Sequence, residues 1–403
     1  MYITHRQLFF DHLAQTSDYP LAIEIERAEG IYMYGPDGKS YIDLISGIAV
    51  SNVGHRHPKV LAAIHAQLDK HMHLLVYGEY VQNIQVRLAK ALTDTLNLPA
   101  QFPSPFGLID HVYFTNSGTE AVEGAMKLAK RFTGRSEFIS CFNAYHGASQ
   151  GALSLAGAEF FKRNFRPLLP GIQHITHNYL PDLEKISPKT AAVVIEIIGG
   201  ESGVRIPSKE YLVALRKKCT DVGALLIIDE IQTGFGRTGS FWAFEPFGIY
   251  PDILLSAKGM GGGMPIGAFM ASQQIMEVLK NRPILGHITT FGGHPVSCAS
   301  SLATLQVILE ENLAPLAIEK GQLFKSLLIH PKIIDVRGIG LMLAAEMESF
   351  ETLKNTIDRC IGKGVVTDWF LFCDNAMRIA PPLTITEEQI KESCAMILDV
   401  LNS

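Results

Sequence analysis

The stretch from residue 224 to residue 263 contains two short apolar runs, each followed by a single charged residue where a buried strand would end. The run at 224–228 is followed by Asp229, and the run at 253–255 is followed three residues later by Lys258. Apolar runs of this kind are typical of strands that are buried on both faces of a parallel sheet. Because the carboxyl ends of parallel strands meet at one edge, a carboxylate and an amine placed there can hold one small molecule from two sides.

Apolar strands, small-residue loops and helices alternate along much of the chain. The pattern predicts strands over 111–114 (HVYF), 136–142 (SEFISCF) and 191–197 (AAVVIEI), with helices over 119–134 and 208–223. Strands that alternate with helices in this way are typical of an α/β fold with a mainly parallel sheet.

The C-terminal third of the sequence has a different pattern, in which a long helical stretch over 295–329 is followed by shorter strands mixed with helices. A chain of 403 residues is longer than a domain with a single hydrophobic core usually is, so we expect two domains. We predict a large domain over 51–290 and a smaller α+β domain over 291–403. The N-terminal segment, 1–50, contains an antiparallel hairpin around a turn at 35–38 and is expected to pack with the small domain.

Composition excludes several kinds of partner. The net charge of −5 gives no reason to expect nucleic acid or an anionic membrane, and no apolar segment approaches the length of a membrane span. The six cysteines are scattered without a C-x-x-C pair, so we expect a cytoplasmic protein without disulfides. His55 and His57 have an H-x-H spacing, but no carboxylate or cysteine completes a ligand set, and we expect no metal site.

Small or polar residues also follow the other predicted strands, at the edge where a ligand would bind. They are Ser117, Gly118, Thr119, Tyr145, His146, Glu196 and Gln232. Exposed N–H groups where a helix begins after the Ser-Gly-Thr loop favour a phosphate, although the loop also fits an ordinary helix N-cap. Tyr145 can lie flat against an aromatic ring, although it also fits a surface aromatic residue after a strand.

Asp229 and Lys258 have the most specific chemical tasks. A carboxylate beside a pyridine nitrogen keeps that nitrogen protonated, and the protonated ring is an electron sink. An amine that attacks a carbonyl needs a lowered pKa, which burial supplies. Glu230 would point to the opposite face of its strand, because side chains alternate. We therefore predict pyridoxal 5'-phosphate held by Lys258 as a Schiff base and by Asp229 at the ring nitrogen, although a strand-end acid and a solvated lysine are also common.

Longer segments of the chain resemble a known family. The segments DE-x-QTGFGRTG at 229–239 and LLSAKG-x-GGG-x-P-x-GA at 254–268 are similar, in that order, to class III (ω-amino acid type) pyridoxal phosphate-dependent aminotransferases of fold type I. YFTNSGTEAVEGAMKLAK, NAYHG and MRIAPPL extend the resemblance over almost the whole chain. It implies a large domain with a mainly parallel, seven-stranded sheet flanked by helices. It also implies a ping-pong transfer of an ω-amine or amino acid amine to a 2-oxo acid.

The resemblance also implies roles around the cofactor. Tyr145 would stack on the ring with His146 beside it, Gln232 would lie near the ring hydroxyl, and the Ser-Gly-Thr loop would bind the phosphate. We place Glu196 among the cofactor-binding residues as well. Thr290, in TTFGG, matches a residue that reaches the phosphate of the neighbouring subunit, which implies a homodimer with shared active sites.

Substrate selection is implied for three other residues. Arg378 matches an arginine that binds a substrate α-carboxylate, and Glu201 matches a glutamate that pairs with it when the substrate has no such group. Tyr19 falls where the family often has an aromatic residue near the substrate. Ala148 departs from ornithine, acetylornithine and 4-aminobutyrate aminotransferases, which usually have an arginine there. Without that arginine, one charge-assisted contact to a substrate carboxylate is missing, and Arg163 or Arg166 could replace it.

Three other functions remain open from the sequence. An aminomutase or a decarboxylase could use the same scaffold and cofactor. A nicotinamide-dependent dehydrogenase is indicated by G-x-G-x-x-G at 234–239, but four residues separate this motif from Asp229 and no helix pattern follows it. A non-catalytic regulator on the same fold is the third alternative, and retention of Lys258 and Asp229 argues against it.

Overall fold

Three β-sheets form the framework of residues 4–403, the part of the chain that the computed structural model describes. The N-terminal sheet begins with β1 (Arg27–Glu29), β2 (Tyr32–Tyr34) and β3 (Ser40–Asp43). The central sheet contains β4 (His111–Thr115), β5 (Glu137–Cys141), β6 (Ile172–Ile175), β7 (Thr190–Glu196), β8 (Leu225–Asp229), β9 (Ile253–Ser256) and β10 (Gly267–Ala271). The remaining strands are β11 (Ile333–Ile339), β12 (Met342–Met347), β13 (Val365–Val366), β14 (Trp369–Phe370) and β15 (Cys373–Ile379).

Helices surround these sheets. They are α1 (His5–His12), α2 (Ser46–Ala49), α3 (Pro58–Leu68), α4 (Asn83–Asp94), α5 (Gly118–Thr133), α6 (Gln150–Leu155), α7 (Glu159–Lys162), α8 (Lys209–Val222), α9 (Gln273–Met276), α10 (Pro295–Glu310), α11 (Leu313–Leu327), α12 (Phe350–Lys363) and α13 (Glu387–Asn402). Short 3-10 turns lie at Arg163–Phe165, Leu180–Lys185, Glu245–Phe247, Lys258–Gly261 and Glu277–Leu279. No helix within residues 4–403 combines the length and apolar character that crossing a membrane requires.

The central sheet has the strand order β4-β10-β9-β8-β7-β5-β6. The pairs from β9 through β8, β7 and β5 to β6 are parallel, and β10 runs antiparallel to both β9 and β4. Strands β7 to β10 are buried along their whole length, and the continuous apolar sequences of β7, β8 and β9 predict this. The mainly parallel seven-stranded sheet is therefore confirmed, and the carboxyl ends of β4, β5, β7, β8 and β9 lie along one edge.

Helix α5 shows how sequence and packing combine in this layer. Ser117 caps its first turn by accepting a hydrogen bond from the Glu120 amide at 3.3 Å, and Gly134 ends it in the left-handed conformation. Gly124 faces the sheet, where a Cβ atom would come within 2.3 Å of the Phe269 ring. A glycine at this position therefore lets the helix lie directly against β10.

The two other sheets join the ends of the chain. The hairpin of β2 and β3 is antiparallel and turns at 35–38, as predicted, and β13 adds to β3 in parallel. The C-terminal sheet has the order β11-β12-β15-β14, with antiparallel pairing throughout. One expectation is wrong in detail: residues 295–329 do not form one long helix. Asn312, at φ +51°, separates α10 from α11.

The G-x-G-x-x-G motif at 234–239 lies in a tight turn and not at the start of a helix. Phe235, Gly236 and Gly239 all have positive φ. The Arg237 side chain within the motif is fully buried and donates hydrogen bonds to Asn52 and to two backbone carbonyl groups. The motif therefore connects the central sheet to the C-terminal region, and it lacks the strand–turn–helix geometry of a dinucleotide site.

Candidate active site

A cavity of about 500 Å³ opens at the carboxyl edge of the central sheet. This volume lies within the range typical of sites for small ligands and cofactors. The structure brings together most of the residues that the sequence singles out, because the ends of five strands converge there. The predicted residues in its wall are Ser117, Gly118, Thr119, Tyr145, His146, Glu196, Glu201, Asp229, Gln232 and Lys258.

Asp229 lies at the end of β8 and is held in place by two hydrogen bonds. Its Oδ1 accepts from the Ile231 amide at 3.0 Å, and its Oδ2 is 2.7 Å from His146 Nδ1. Burial is the largest single effect and opposes a charge on His146, but the hydrogen bond to Asp229 and the charges of Asp229 and Glu196 together outweigh it, so the pKa of His146 is raised. Each carboxylate oxygen can accept a second hydrogen bond, so Asp229 can receive a further donor from the cavity. Glu230 does not line the cavity and contacts Thr233 instead.

Lys258 follows β9 in an unusual backbone conformation. Its φ of +47° lies in the left-handed region, which is costly for a residue with a side chain and is often found at functional sites. Among the side-chain hydrogen bonds of residues 4–403, none involves the Lys258 amine. Burial lowers the pKa of Lys258, and Arg378 lowers it further against the opposing effect of Glu201 and Asp229. A larger share of this amine is thus unprotonated near neutral pH than in an exposed lysine, and the unprotonated amine is the form that acts as nucleophile and general base.

The N-terminus of α5 forms another part of the cavity wall. Helix starts leave backbone N–H groups without partners in the helix, and their dipoles favour an anion. A Cβ atom on Gly118 would come within 2.8 Å of Ile231, and one on Gly147 would come within 2.3 Å of Thr119. Glycine at these two positions therefore lets Ile231 and Thr119 pack closely against this part of the cavity wall. The Thr119 hydroxyl lies 2.6 Å from that of Ser149.

Glu196, Tyr145 and Gln232 complete the polar wall. Glu196 accepts hydrogen bonds from the Tyr145 amide at 3.3 Å and from the Gly200 amide at 3.1 Å. Burial raises the pKa of Glu196 to about 7, because the charge of His146 only partly compensates for it. Tyr145 keeps about a third of its surface exposed, toward the cavity. Gln232 donates to Glu201 at 3.3 Å.

Glu201 and Arg378 form a buried ion pair behind this wall. Two guanidinium nitrogens of Arg378 donate to the two oxygens of Glu201, each at 3.0 Å. Burial is the largest single effect and would raise the pKa of Glu201, but Arg378, Lys258 and the Leu371 amide together outweigh it, so the pKa of Glu201 is lowered. Glu201 lines the cavity and Arg378 does not, so the glutamate separates the arginine from the cavity.

Some of the residues considered in the sequence lie elsewhere. Thr290 is exposed and outside the cavity wall, and Tyr19 is 76% exposed. Ala148 does line the cavity, at the position where related enzymes have an arginine. Arg166 pairs instead with Glu159 at 2.8 Å, and Arg163 lies over the Phe160 ring at 5.3 Å. Within residues 4–403, neither of these arginines lines the cavity.

Sequence reasoning missed Asp368 and Ile231. Asp368 accepts a hydrogen bond from Arg378 Nε at 2.8 Å, so the arginine lies between two carboxylates. Ile231 lines the cavity and packs against Gly118. An acid ten residues before an arginine has no motif of its own, and only the pairing of β14 with β15 brings the two together.

Comparison with known proteins gives the same assignment. The family model described as aminotransferase class-III matches residues 13–401. The chain belongs to the class III aminotransferases. It is 37% identical to acetylornithine aminotransferase of Methanopyrus kandleri, over 97% of each chain. It is 40% identical to putrescine aminotransferase of Pectobacterium atrosepticum, over 90% of this chain and 77% of that protein.

A solved structure is also similar. The ornithine aminotransferase of Toxoplasma gondii, crystallised with oxidised glutathione and with partial occupancy of pyridoxal phosphate, superimposes with a TM-score of 0.89. The sequence identity is 29%, and the match covers 99% of this chain and 94% of that one. The chain is accordingly a pyridoxal phosphate-dependent transaminase, and the family does not favour an aminomutase or a decarboxylase.

The residues of this cavity fit pyridoxal phosphate. An amine with a lowered pKa, a carboxylate that can accept another donor and a helix N-terminus correspond to the aldehyde, ring nitrogen and phosphate of the cofactor. His146 Nε2 is buried without a partner among the described residues, so it can also serve a ligand.

Proposed function

We propose that Lys258 holds pyridoxal phosphate covalently and that the chain moves an amino group from an ω-amine or amino acid amine to a 2-oxo acid by a ping-pong mechanism. The observation that carries the proposal is the Lys258 amine itself. It lies in the wall of a cavity that also contains Asp229, its pKa is lowered, and its backbone is held at φ +47°. Each of these features has a use in covalent catalysis by an amine.

When bound, pyridoxal phosphate supplies an electron sink for the negative charge that develops at the reacting substrate carbon. Asp229 would accept a hydrogen bond from the ring nitrogen and keep it protonated, and His146 fixes the orientation of Asp229 at 2.7 Å. Tyr145 would lie on the ring face, Gln232 would reach the ring hydroxyl, and Glu196 would hold the Tyr145 backbone in place.

The phosphate would bind at the N-terminus of α5. Ser117, Gly118 and Thr119 supply backbone N–H groups and hydroxyls there, and the helix dipole favours the negative charge. We propose that Thr290, which is exposed in its own chain, reaches the phosphate in a partner subunit of a homodimer.

Lys258 would also transfer the proton. When its amine is free, Lys258 would take a proton from the substrate carbon as a general base and give it back as a general acid. The lowered pKa of Lys258 keeps a larger share of the amine unprotonated near neutral pH, as a general base requires.

The substrate subsite is formed by Glu201 and Arg378. With the ion pair closed, Arg378 is hidden and an amine without a carboxylate can enter. A carboxylate would require Glu201 to move away so that it can meet Arg378. We place Tyr19 near this subsite in the assembled dimer. The relative named putrescine aminotransferase supports an ω-amine donor.

Covalent attachment through Lys258 can be tested by borohydride reduction of the protein after addition of pyridoxal phosphate. Mass spectrometry should find the cofactor mass on the peptide that contains Lys258, and Lys258→Ala should not retain it. Lys320→Ala is the control, because burial also lowers the pKa of Lys320 but its amine bonds to the Leu383 carbonyl. Retention of reduced cofactor by Lys258→Ala would contradict the assignment.

The donor and acceptor can be identified with a panel of amines and 2-oxo acids. Conversion of the cofactor to its amine form, followed by absorbance, reports each donor. We expect ω-amines to react, and net transfer to an added 2-oxo acid to follow. Isomerisation of the donor or release of carbon dioxide, without transfer, would contradict transamination.

Assembly and location complete the proposal. Mixing Lys258→Ala with Thr290→Ala subunits should restore activity, because a hybrid dimer has one site with both native residues. A monomer in light scattering would contradict this. We propose a cytoplasmic location, supported by six cysteines that are all free thiols, and domain limits at about residues 50 and 290 as in the sequence prediction. Cell fractionation and limited proteolysis test these two points.

A further inference from the structure

The guanidinium group of Arg378 is surrounded by acceptors. Nε donates to Asp368 Oδ1 at 2.8 Å, and the two terminal nitrogens donate to Glu201. One of them also donates to the Trp369 carbonyl at 3.2 Å, and the group lies 4.4 Å from the centre of the Phe370 ring. One cation therefore has two carboxylate partners, and the cluster carries a net charge of −1 when both are ionised.

The two carboxylates differ in their access to the cavity. Glu201 lies in the turn after β7 and faces the cavity. Asp368 belongs to the backbone segment that pairs with Arg378, since the Arg378 amide donates to the Asp368 carbonyl at 2.9 Å and the Thr367 hydroxyl donates to the Arg378 carbonyl at 2.6 Å. Glu201 is also tied to this segment, since its carbonyl accepts from the Phe372 amide at 3.0 Å and its Oε2 accepts from the Leu371 amide at 3.2 Å. Only Glu201 lines the cavity, however, so a substrate carboxylate can compete with Glu201 for Arg378 but cannot reach Asp368.

This difference determines what a substrate carboxylate would meet. If Glu201 moves away, Arg378 is still paired with Asp368, and the subsite presents a cation that is already neutralised. Apart from Lys258, which the cofactor would occupy, the remaining cavity wall adds little attraction, because Glu196 and Asp229 line it and Ala148 occupies the place of an arginine. An incoming carboxylate also experiences repulsion from Asp368 across the same guanidinium group.

We propose that Asp368 is a positioning residue that sets substrate selectivity, by lowering the attraction of Arg378 for carboxylates. The inference rests on the proposed transaminase function. Through Asp368, the subsite selects amine donors that have no carboxylate at this position, with an uncharged or cationic group there, and it binds the 2-oxo acid only weakly. Asp368 acts through Arg378 and has no contact with the cavity.

Asp368→Asn tests the proposal, because asparagine keeps the oxygen that accepts from Arg378 Nε and removes the charge. Steady-state kinetics with butane-1,4-diamine and pyruvate give a separate KM for each substrate. We expect the KM for pyruvate to fall by about ten-fold, from the loss of one charge–charge repulsion, and the KM for the diamine, whose second amine is cationic, to rise. Asp368→Glu keeps the charge and should retain the wild-type preference.

A purely structural role gives the opposite result. If Asp368 only held Arg378 in place, Asp368→Asn would loosen the arginine, and the KM for pyruvate would rise. An unchanged or increased KM for pyruvate therefore overturns the proposal. Asp399→Asn is the matched control, since Asp399 also pairs with a basic residue, Lys363, at 2.6 Å, but on exposed helices. It should change neither KM.

A binding measurement separates this inference from the proposed function. Titration with propanoate, which cannot be transaminated, is followed by proton NMR line broadening in wild-type protein and in Asp368→Asn. Tighter binding of propanoate by the variant supports the inference, and equal or weaker binding overturns it. This result does not depend on turnover, so a wild-type protein that transfers no amino group would refute the function and leave the role of Asp368 decided by the titration.

Discussion

Glu230 provides a test of how the end of β8 divides its two acids between opposite faces. Its side chain is 1% exposed and accepts hydrogen bonds from the Thr233 hydroxyl at 2.5 Å and the Phe244 amide at 2.9 Å. Burial raises the pKa of Glu230 from its ordinary 4.5 to about 8, although these hydrogen bonds lower it. The acid is therefore mostly neutral at pH 7, unlike a surface glutamate.

The raised pKa makes the stability of the protein depend on pH. Because the folded-state pKa lies above the unfolded-state value, the contribution of Glu230 is fully present below about pH 4.5 and is lost as the pH rises through about 8. At about 1.4 kcal/mol per pKa unit, the whole loss corresponds to roughly 5 kcal/mol. Glu230→Gln imitates the neutral acid and removes this loss, so its stability relative to wild type should increase with pH.

Thermal unfolding at several pH values between 5.5 and 8.5 measures the effect. We expect the Tm of Glu230→Gln relative to wild type to rise by several degrees over this range, at roughly 1–2 °C per kcal/mol for a chain of this length. Glu184→Gln, at an exposed glutamate, should show no such trend. A difference in Tm that stays constant with pH would refute the assignment of a neutral, buried acid at position 230.

Three further substitutions test the packing. Gly124→Ala places a Cβ atom 2.3 Å from the Phe269 ring and should lower the free energy of unfolding by about 1–3 kcal/mol, seen as a lower Tm. Gly362→Ala is the control, because a Cβ atom there meets open space and should leave the Tm unchanged. Asp252→Asn leaves the buried Arg216 guanidinium without its charged partner at 2.9 Å and should cost about 3–5 kcal/mol in urea unfolding. Thr386→Ala removes the N-cap of α13 and should lower the free energy of unfolding by about 1 kcal/mol, measured by the same method. Thr386→Ser keeps a capping hydroxyl and should retain most of the wild-type stability.

The central sheet could be predicted because its strands carry their own signal. Continuous apolar runs that end in one polar residue indicate buried parallel strands, and the shared edge then places Asp229 and Lys258 together. Strand β10 had no such signal, because the glycines and proline before it indicate a loop and its antiparallel direction depends on its neighbours. The break between α10 and α11 was missed for a similar reason, since Asn312 interrupts an otherwise helical pattern with a single left-handed residue.

The substrate subsite shows the limit of such reasoning. Glu201 and Arg378 are 177 residues apart, and no local pattern links a glutamate in a glycine-rich turn to an arginine in a distant strand. A family resemblance can supply that pair, because both residues lie in recognisable motifs. It cannot supply Asp368, whose contact with Arg378 follows from the register of the β14–β15 hairpin. The charge that a substrate meets is the sum of the charges of Glu201, Arg378 and Asp368. Selectivity therefore depends on a residue that neither motif contains, and a substrate assignment made from Glu201 and Arg378 alone would overestimate the affinity for carboxylates.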